Sequence, residues 1–387
     1  MTSTGSHGVS PGASTPKGSR GRAGRWAAGG LAAAAAVALA SSGATAALAA
    51  PTLTIPVSCS VTALRNAIQF SPSNAILVLH NGCTYFITSA LPDVDTNLTI
   101  EGSNDTIYRS SGTYTMLTND GANLTINQLT MAHGNGPILS PGALLNEDGG
   151  SLTVTKSNFL DDDGGVGGAI LNETGGSLTV SNSDFSHCDA SSGIFGGGAI
   201  ANGPVGTTTV SGSTFYENDA ENGGAIGNLG GTTTVSGTKS VFTNNFADDF
   251  GGAIDNFLGS LNVSGATFSG NATDHDDGGA IANFGTAATF GTSSFTGNDA
   301  GDDGGAIATA TTLNLNSDSI SGNFADDDGG GVFVTGGTTS LNTTKVFLNR
   351  AGGTGGGIRR TGGTVSLNYN SQVTLNVPNN CSGTSCF

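Results

Sequence analysis

Apolar and polar residues alternate with period two in a series of short segments, among them Leu152/Val154, Leu178/Val180, Leu261/Val263 and Leu313/Leu315. Such alternation predicts β-strands with one buried face. Each segment belongs to a longer unit. After the alternating strand comes a phenylalanine, then an asparagine three residues on, as in "FYEN", "FSGN" and "FTGN". An acidic loop follows, and the unit closes on "GGAI" with an asparagine two residues later. Alignment on the aliphatic residue that ends each Gly-Gly turn gives Leu144, Ile170, Ile200, Ile226, Ile254, Ile281, Ile307, Val332 and Ile358, spaced by 26, 30, 26, 28, 27, 26, 25 and 26 residues. A fixed period in this range is the mark of a stacked repeat. No segment between residues 140 and 380 carries a convincing helical stripe.

Three short strands per unit, joined by tight glycine turns, predict an all-β, single-stranded right-handed parallel β-helix. Like residues then stack: Phe185, Phe215, Phe242, Phe268 and Phe295 in an internal aromatic column, and Asn218, Asn245, Asn271, Asn298 and Asn323 in an amide ladder at a bend. A leucine-rich horseshoe would need helical or leucine-dense segments, and a propeller would need longer blades. The opening "CSVTALRNAIQF" places Val61, Leu64, Ala67 and Ile68 on one helical face, which suits a short helix capping the open first coil. The expected domain is a single rod over 51–387. It divides into a cap and opening coils (51–135), the repeats (136–370) and a C-terminal cap (371–387).

Residues 1–50 read differently. Lys17, Arg20, Arg22 and Arg25 precede an alanine-rich apolar run, and "ATAALAAPT" offers small residues for cleavage after Ala49 or Ala50, so this segment reads as a secretory signal peptide. All 29 acidic residues and eight of the 12 basic ones lie beyond Ala50, a net charge of −21 for the expected mature chain. Such a chain is repelled by nucleic acid and by anionic membrane surfaces. The expectation is a secreted, extracellular or wall-associated monomer with no membrane segment once the signal is removed. Export permits disulfides. The expected pairs are Cys59 with Cys83 and Cys381 with Cys386, each pinning an end of the stack, with Cys188 left as a buried filler. Spacing alone does not fix that connectivity.

The pairing of "GGAI" with "FxxN" resembles the repeats of the polymorphic outer-membrane protein family. The opening "CSVTALRNAI…GCTYFIT…LPDVDTNLTIEGSNDTIYR" is similar to the start of secreted bacterial right-handed β-helix proteins, including those with CSLREA-type domains. These motifs imply a pectin-lyase-like solenoid and say little about chemistry. The chain departs from the pattern where Asp162 and Cys188 replace the ladder asparagine, and where Ile320 and Val346 replace the phenylalanine.

The same fold houses polysaccharide lyases and glycoside hydrolases, so an extracellular polysaccharide-active enzyme is the alternative reading. Lyases of the fold need an arginine or lysine beside an acidic cluster, yet between Lys156 and Lys345 the only cationic residue is Lys239. A hydrolase needs two carboxylates about 5–10 Å apart. Stacked coils supply that spacing, about 4.8 Å, whatever their function. Sugar clefts present aromatic faces, whereas the five tyrosines here are scattered along the chain, with Tyr216 alone among the main repeats. His187 beside Cys188 does not make a zinc site, and the "GGxG" strings lack the following helix and Lys-Ser/Thr of a phosphate loop. The balance leans against catalysis. It favours a structural, adhesion or binding protein whose partner is a cell-wall or surface glycan or protein.

The loops before the Gly-Gly turns carry Asp161–Asp163, Asp189, Asp219, Glu221, Asp248, Asp249, Asp274, Asp276, Asp277, Asp299, Asp302, Asp303 and Asp326–Asp328. Placed at one position of successive coils, they predict an acidic stripe. Ca²⁺ suits clustered carboxylates with backbone carbonyls, and the candidate ligands are Asp248, Asp249, Asp274, Asp276, Asp277, Asp302, Asp303, Asp326, Asp327 and Asp328. A solvated, salt-screened stripe is the other reading, and the irregular loop lengths favour it. No other cofactor is expected.

Overall fold

In a computed structural model, residues 52–191, 196–237 and 239–386 are described, and the segment 1–50 expected to be a signal peptide lies outside them. Pro51–Phe387 forms one compact unit. It is a right-handed parallel β-solenoid of about 12 turns. Every repeat contributes to three sheets. In the coil from Ser260, for example, Ser260–Ser264 and Thr267–Ser269 lie in a 23-stranded sheet, Ala272–Thr273 in an 8-stranded sheet and Ile281–Phe284 in an 11-stranded sheet. The expected three strands are thus four segments, because the largest sheet bends once inside each coil. Residues at or near that bend adopt left-handed backbone, as Asn182, Gly212 and Gly265 show.

Register is strict. Leu178 pairs with Leu152 and Thr208, Phe185 with Phe159 and Phe215, and Ile200 with Ile170 and Ile226. β-Branched Thr, Val and Ile fill these strands because their side chains pack well on a pleated surface. The phenylalanine column runs from Phe159 to Phe295 with ring centroids 4.7–5.0 Å apart and nearly parallel planes. Ile320 and Val346 then take over the same buried row. That lateral stacking is imposed by the coil spacing, about 4.8 Å between adjacent strands.

Two amide ladders thread the interior. Asn218, Asn245, Asn271, Asn298, Asn323, Asn349 and Asn376 are linked by Nδ2–Oδ1 hydrogen bonds of 2.8–3.0 Å, each donor pointing to the next coil. A second ladder uses the asparagine after "GGAI". It runs from Asn119 through Asn146, Asn172, Asn202, Asn228 and Asn256 to Asn283, with spacings of 2.7–2.9 Å, and ends on the Thr309 hydroxyl. The sequence pattern marks those asparagines, but their interlocking appears only in the fold. An unpartnered buried amide costs about 1–3 kcal/mol, so each ladder penalises any coil that shifts out of register.

The glycine pair has a steric cause. Gly278 has φ +78°, and a Cβ on Gly279 would lie 2.4 Å from the Gly305 carbonyl oxygen and 2.5 Å from that of Asp299. At the N-terminal end, the helix Val61–Phe70 (α1) is capped by Ser60 and buries Leu64 and Ile68. Cys59 is bonded to Cys83 beneath it, and Cys381 to Cys386 at the other end of the stack; Cys188 is a buried free thiol. No helix among the described residues is long and apolar enough to cross a membrane.

Candidate functional site

The structure separates the expected acidic stripe into two registers. In the 8-stranded sheet Asp163 pairs with Asp189 and Asp189 with Asp219, but the next positions are Phe246 and Ala272. Asp299 is bounded by Ala272 and Phe324, and Arg350 lies over the Phe324 ring at 5.5 Å. Asp248 and Asp274 follow the paired Ala247 and Thr273, and Gly301 closes against the Asp274 carbonyl before Asp326 is reached. A single continuous column therefore does not form, because the loops differ in length and composition from coil to coil.

Among the described residues, the cluster of three acids whose ligand oxygens lie closest together sits in the turns. Asp277 Oδ1 accepts the Asp303 amide at 3.2 Å, Asp303 Oδ1 accepts the Asp328 amide at 2.7 Å, and Asp328 Oδ1 accepts the Thr354 amide at 2.6 Å. Ligand oxygens of Asp277, Asp302 and Asp303 lie within 4.8 Å of one another. Burial, reinforced by Asp303, raises Asp277 to about 7, and burial raises Asp303 to about 6. Desolvation and Asp327 also raise Asp302. The column ends at Arg359, whose Nε is 2.9 Å from Asp328 Oδ2, an ion pair without the alignment of a hydrogen bond. Asp276 lies beside this column, its carbonyl taken by the Thr273 hydroxyl, and Asp327 is exposed at its edge. Asp249 is half-buried in the preceding turn and is not one of the three clustered carboxylates.

A second surface was not legible as a site. On the outer face of the large sheet, Phe86 pairs with Tyr108, Tyr108 with Ala132, Ala132 with Leu160, Leu160 with Ser186 and Ser186 with Tyr216. The residues that follow form their own row at the bend: Arg109, His133, Asp161, His187 and Glu217. Tyr108 meets Phe86 at 5.5 Å and His133 at 4.7 Å, and His187 meets Tyr216 at 5.8 Å. His133 Nε2 is 3.5 Å from Asp161 and His187 Nε2 is 2.9 Å from Glu217. The Tyr216 hydroxyl, with His187 and Asn244, holds Glu217 below the ordinary glutamate range. Further along, the same outer row holds Thr243, Ser269, Thr296 and Ser321 before reaching the half-buried Phe347. Phe86, Tyr108 and Tyr216 are thus set on one row by coil stacking; superposing "TYFI", "TIYR", "TMAH", "NFLD", "DFSH" and "TFYE" is the signal that finds it. His187 points out to Glu217 while Cys188 points into the core, so the two do not share a ligand.

A Chlamydia polymorphic membrane protein repeat matches residues 239–256, the stretch that carries Phe242, Asn245, Asp248, Asp249 and "GGAI". The chain is a parallel β-helix repeat protein with repeats of this polymorphic-membrane-protein kind. No curated protein matches it. Among solved structures, tailspike protein 3 of bacteriophage CBA120 aligns over 84% of this chain at 12% identity with a TM-score of 0.34. This chain spans 59% of that tailspike chain.

Proposed function

We propose that this protein is a secreted or surface-associated rod that binds an extracellular partner along its lateral faces and carries out no reaction of its own. The observation that carries this reading is the strict coil-by-coil register, which repeats exposed side chains at one spacing along the length of the sheets. Such a face suits an extended or repetitive partner. The leader over 1–50 supplies export in this reading, and the Cys59–Cys83 and Cys381–Cys386 bonds suit an oxidising space.

The turn triad Asp277, Asp302 and Asp303 supports a structural role for Ca²⁺. Oδ1 of Asp277 and of Asp303 each accept one backbone amide, and carboxylate and carbonyl oxygens are the donors this ion takes. A cation there relieves repulsion among acids that the fold presses together.

Two experiments test the reading. N-terminal sequencing of the protein exported by a secreting host should begin at Ala50, Pro51 or close by. The purified rod should adhere to intact cell envelopes while releasing no reducing ends or unsaturated products from neutral or uronate polysaccharides. Product release would replace the binding role with the polysaccharide-active one.

A further inference from the structure

We infer that the outer face between Phe86 and Tyr216 is a binding site for an uncharged, extended oligosaccharide lying parallel to the solenoid axis. This rests on the binding role proposed above and names its site and ligand class.

The face differs from the rest of its row in two ways: several apolar groups cluster on it, and a polar row runs beside them. It carries exposed rings: Phe86 is 60% exposed and Tyr216 is 38% exposed, with Tyr108 half-buried between Phe86 and His133. Amphipathic rings of this kind offer an apolar surface to the C–H faces of a pyranose and, in tyrosine, a hydroxyl to its edge. Leu160, 37% exposed, continues the apolar strip midway. Beside the strip runs a polar row in which imidazoles and carboxylates alternate by coil, His133, Asp161, His187 and Glu217, with Arg109 before them. The vicinal hydroxyls of a sugar both donate and accept, so an alternating row matches them where a run of one charge does not. Five coil steps separate Phe86 from Tyr216, about 24 Å at about 4.8 Å per coil, and each step is comparable to one sugar of an extended chain.

Charge selects among partners. The chain carries a formal charge of −17, which opposes uronate or phosphate polymers. On this face the one fixed cation, Arg109, is spent on the His133 and Gly112 carbonyls, and the two carboxylates, Asp161 and Glu217, lie against the rings of His133 and His187, so no run of one charge calls for an ionic ligand. A polycation would be drawn instead to the turns around Asp277, Asp302 and Asp303.

The test uses the whole purified protein in affinity electrophoresis through gels containing β-glucan, mannan, galactan, polygalacturonate or chitosan, with adhesion to cell envelopes measured in parallel. At least one neutral polymer should retard the wild type. The double variant Tyr108→Ala, Tyr216→Ala should lose that retardation by about tenfold or more, while keeping the wild-type melting temperature to within a few degrees. Tyr369→Ala, which removes a ring 77% exposed near the other end, should leave retardation unchanged. Phe86→Ala gives an independent loss should the double variant misfold. Retardation by no neutral polymer, or retardation that survives the ring removals, overturns the site. So does binding confined to chitosan, which places recognition on the acidic turns. If adhesion to envelopes persists in the variants while these outcomes hold, the binding role stands and this face is not its site.

Discussion

Asp162 and Cys188 stand in adjacent coils just before the inner amide ladder begins at Asn218: Asp163 pairs with Asp189, which sets the residues before them opposite each other. The Cys188 amide donates to Asn218 Oδ1, and Asp162 Oδ1 accepts the Gly134 amide, as a ladder asparagine would. The remaining Asp162 oxygen, Oδ2, is buried and unpartnered. In an asparagine coil that position is an Nδ2 donating to the carbonyl of the preceding coil's inward residue, as Asn218 does to Phe185 at 3.2 Å. The corresponding carbonyl here belongs to Met131. Burial raises the Asp162 carboxyl well above its ordinary range, with Asp163 and Asp161 adding to the shift and Arg109 opposing it.

Asp162→Asn should therefore stabilise the protein at neutral pH. It supplies the missing donor without changing volume, and the expected gain is about 1–3 kcal/mol. Denaturant unfolding at pH 7 measures it. The gain should shrink at pH 4, where the carboxylic acid already carries its proton.

Stability should fall as pH rises from about 4 to about 8. Burial raises Asp255 and Asp277 to about 7, and Asp219, Asp303 and Asp318 to about 6. Between the ordinary carboxylate range and these values, the folded chain binds more protons than the unfolded one, so protonation favours folding. That contribution is complete below the unfolded range near pH 4 and is lost through pH 6–7. Melting temperatures across this range, in metal-free buffer, give the check. Asp255→Asn should flatten the slope.

Calcium should raise the melting temperature more than NaCl of equal ionic strength, and chelation should reverse the rise. Screening alone predicts equal effects of the two salts. Asp303→Asn should remove most of the difference, because it breaks the triad with Asp277 and Asp302.

Deleting one rung should cost far more inside than outside. Phe242→Ala removes a fully buried ring between Phe215 and Phe268, an expected loss of about 3–5 kcal/mol. Asn245→Ala leaves the Asn218 amide and the Phe215 carbonyl without partners, about 1–3 kcal/mol for each group. Asn262→Ala, on the exposed side of its strand, should stay within about 0.5 kcal/mol.

The interior was legible because stacking turns sequence spacing directly into contact: Phe185 and Phe215 are 30 residues apart and 5.0 Å from ring to ring. The helix α1 was legible for a different reason, its periodic Leu64 and Ile68. The loops were not. Their acids recur near the Gly-Gly turn, but with varying offsets Asp219 falls opposite Phe246 rather than another acid. The outer aromatic face was hidden because the opening coils lack the repeat's motif, so the inward Met131 and the outward Tyr108 could be assigned only once neighbouring coils fixed the register.

The uniformity of the ladders makes the folding chain nearly degenerate under a shift by one coil. A segment that docked against the wrong neighbour would rebuild much of the same ring stack and amide chain, so the ladders alone report little of the error. What distinguishes one coil from the next is the set of departures: the acid at Asp162, the thiol at Cys188, the extra ring Phe290 set edge-on to Phe268 and Phe295, and the aliphatic Ile320. These act as addresses. A consensus version in which every rung was made identical would gain stability per coil and lose its means of telling one coil from another.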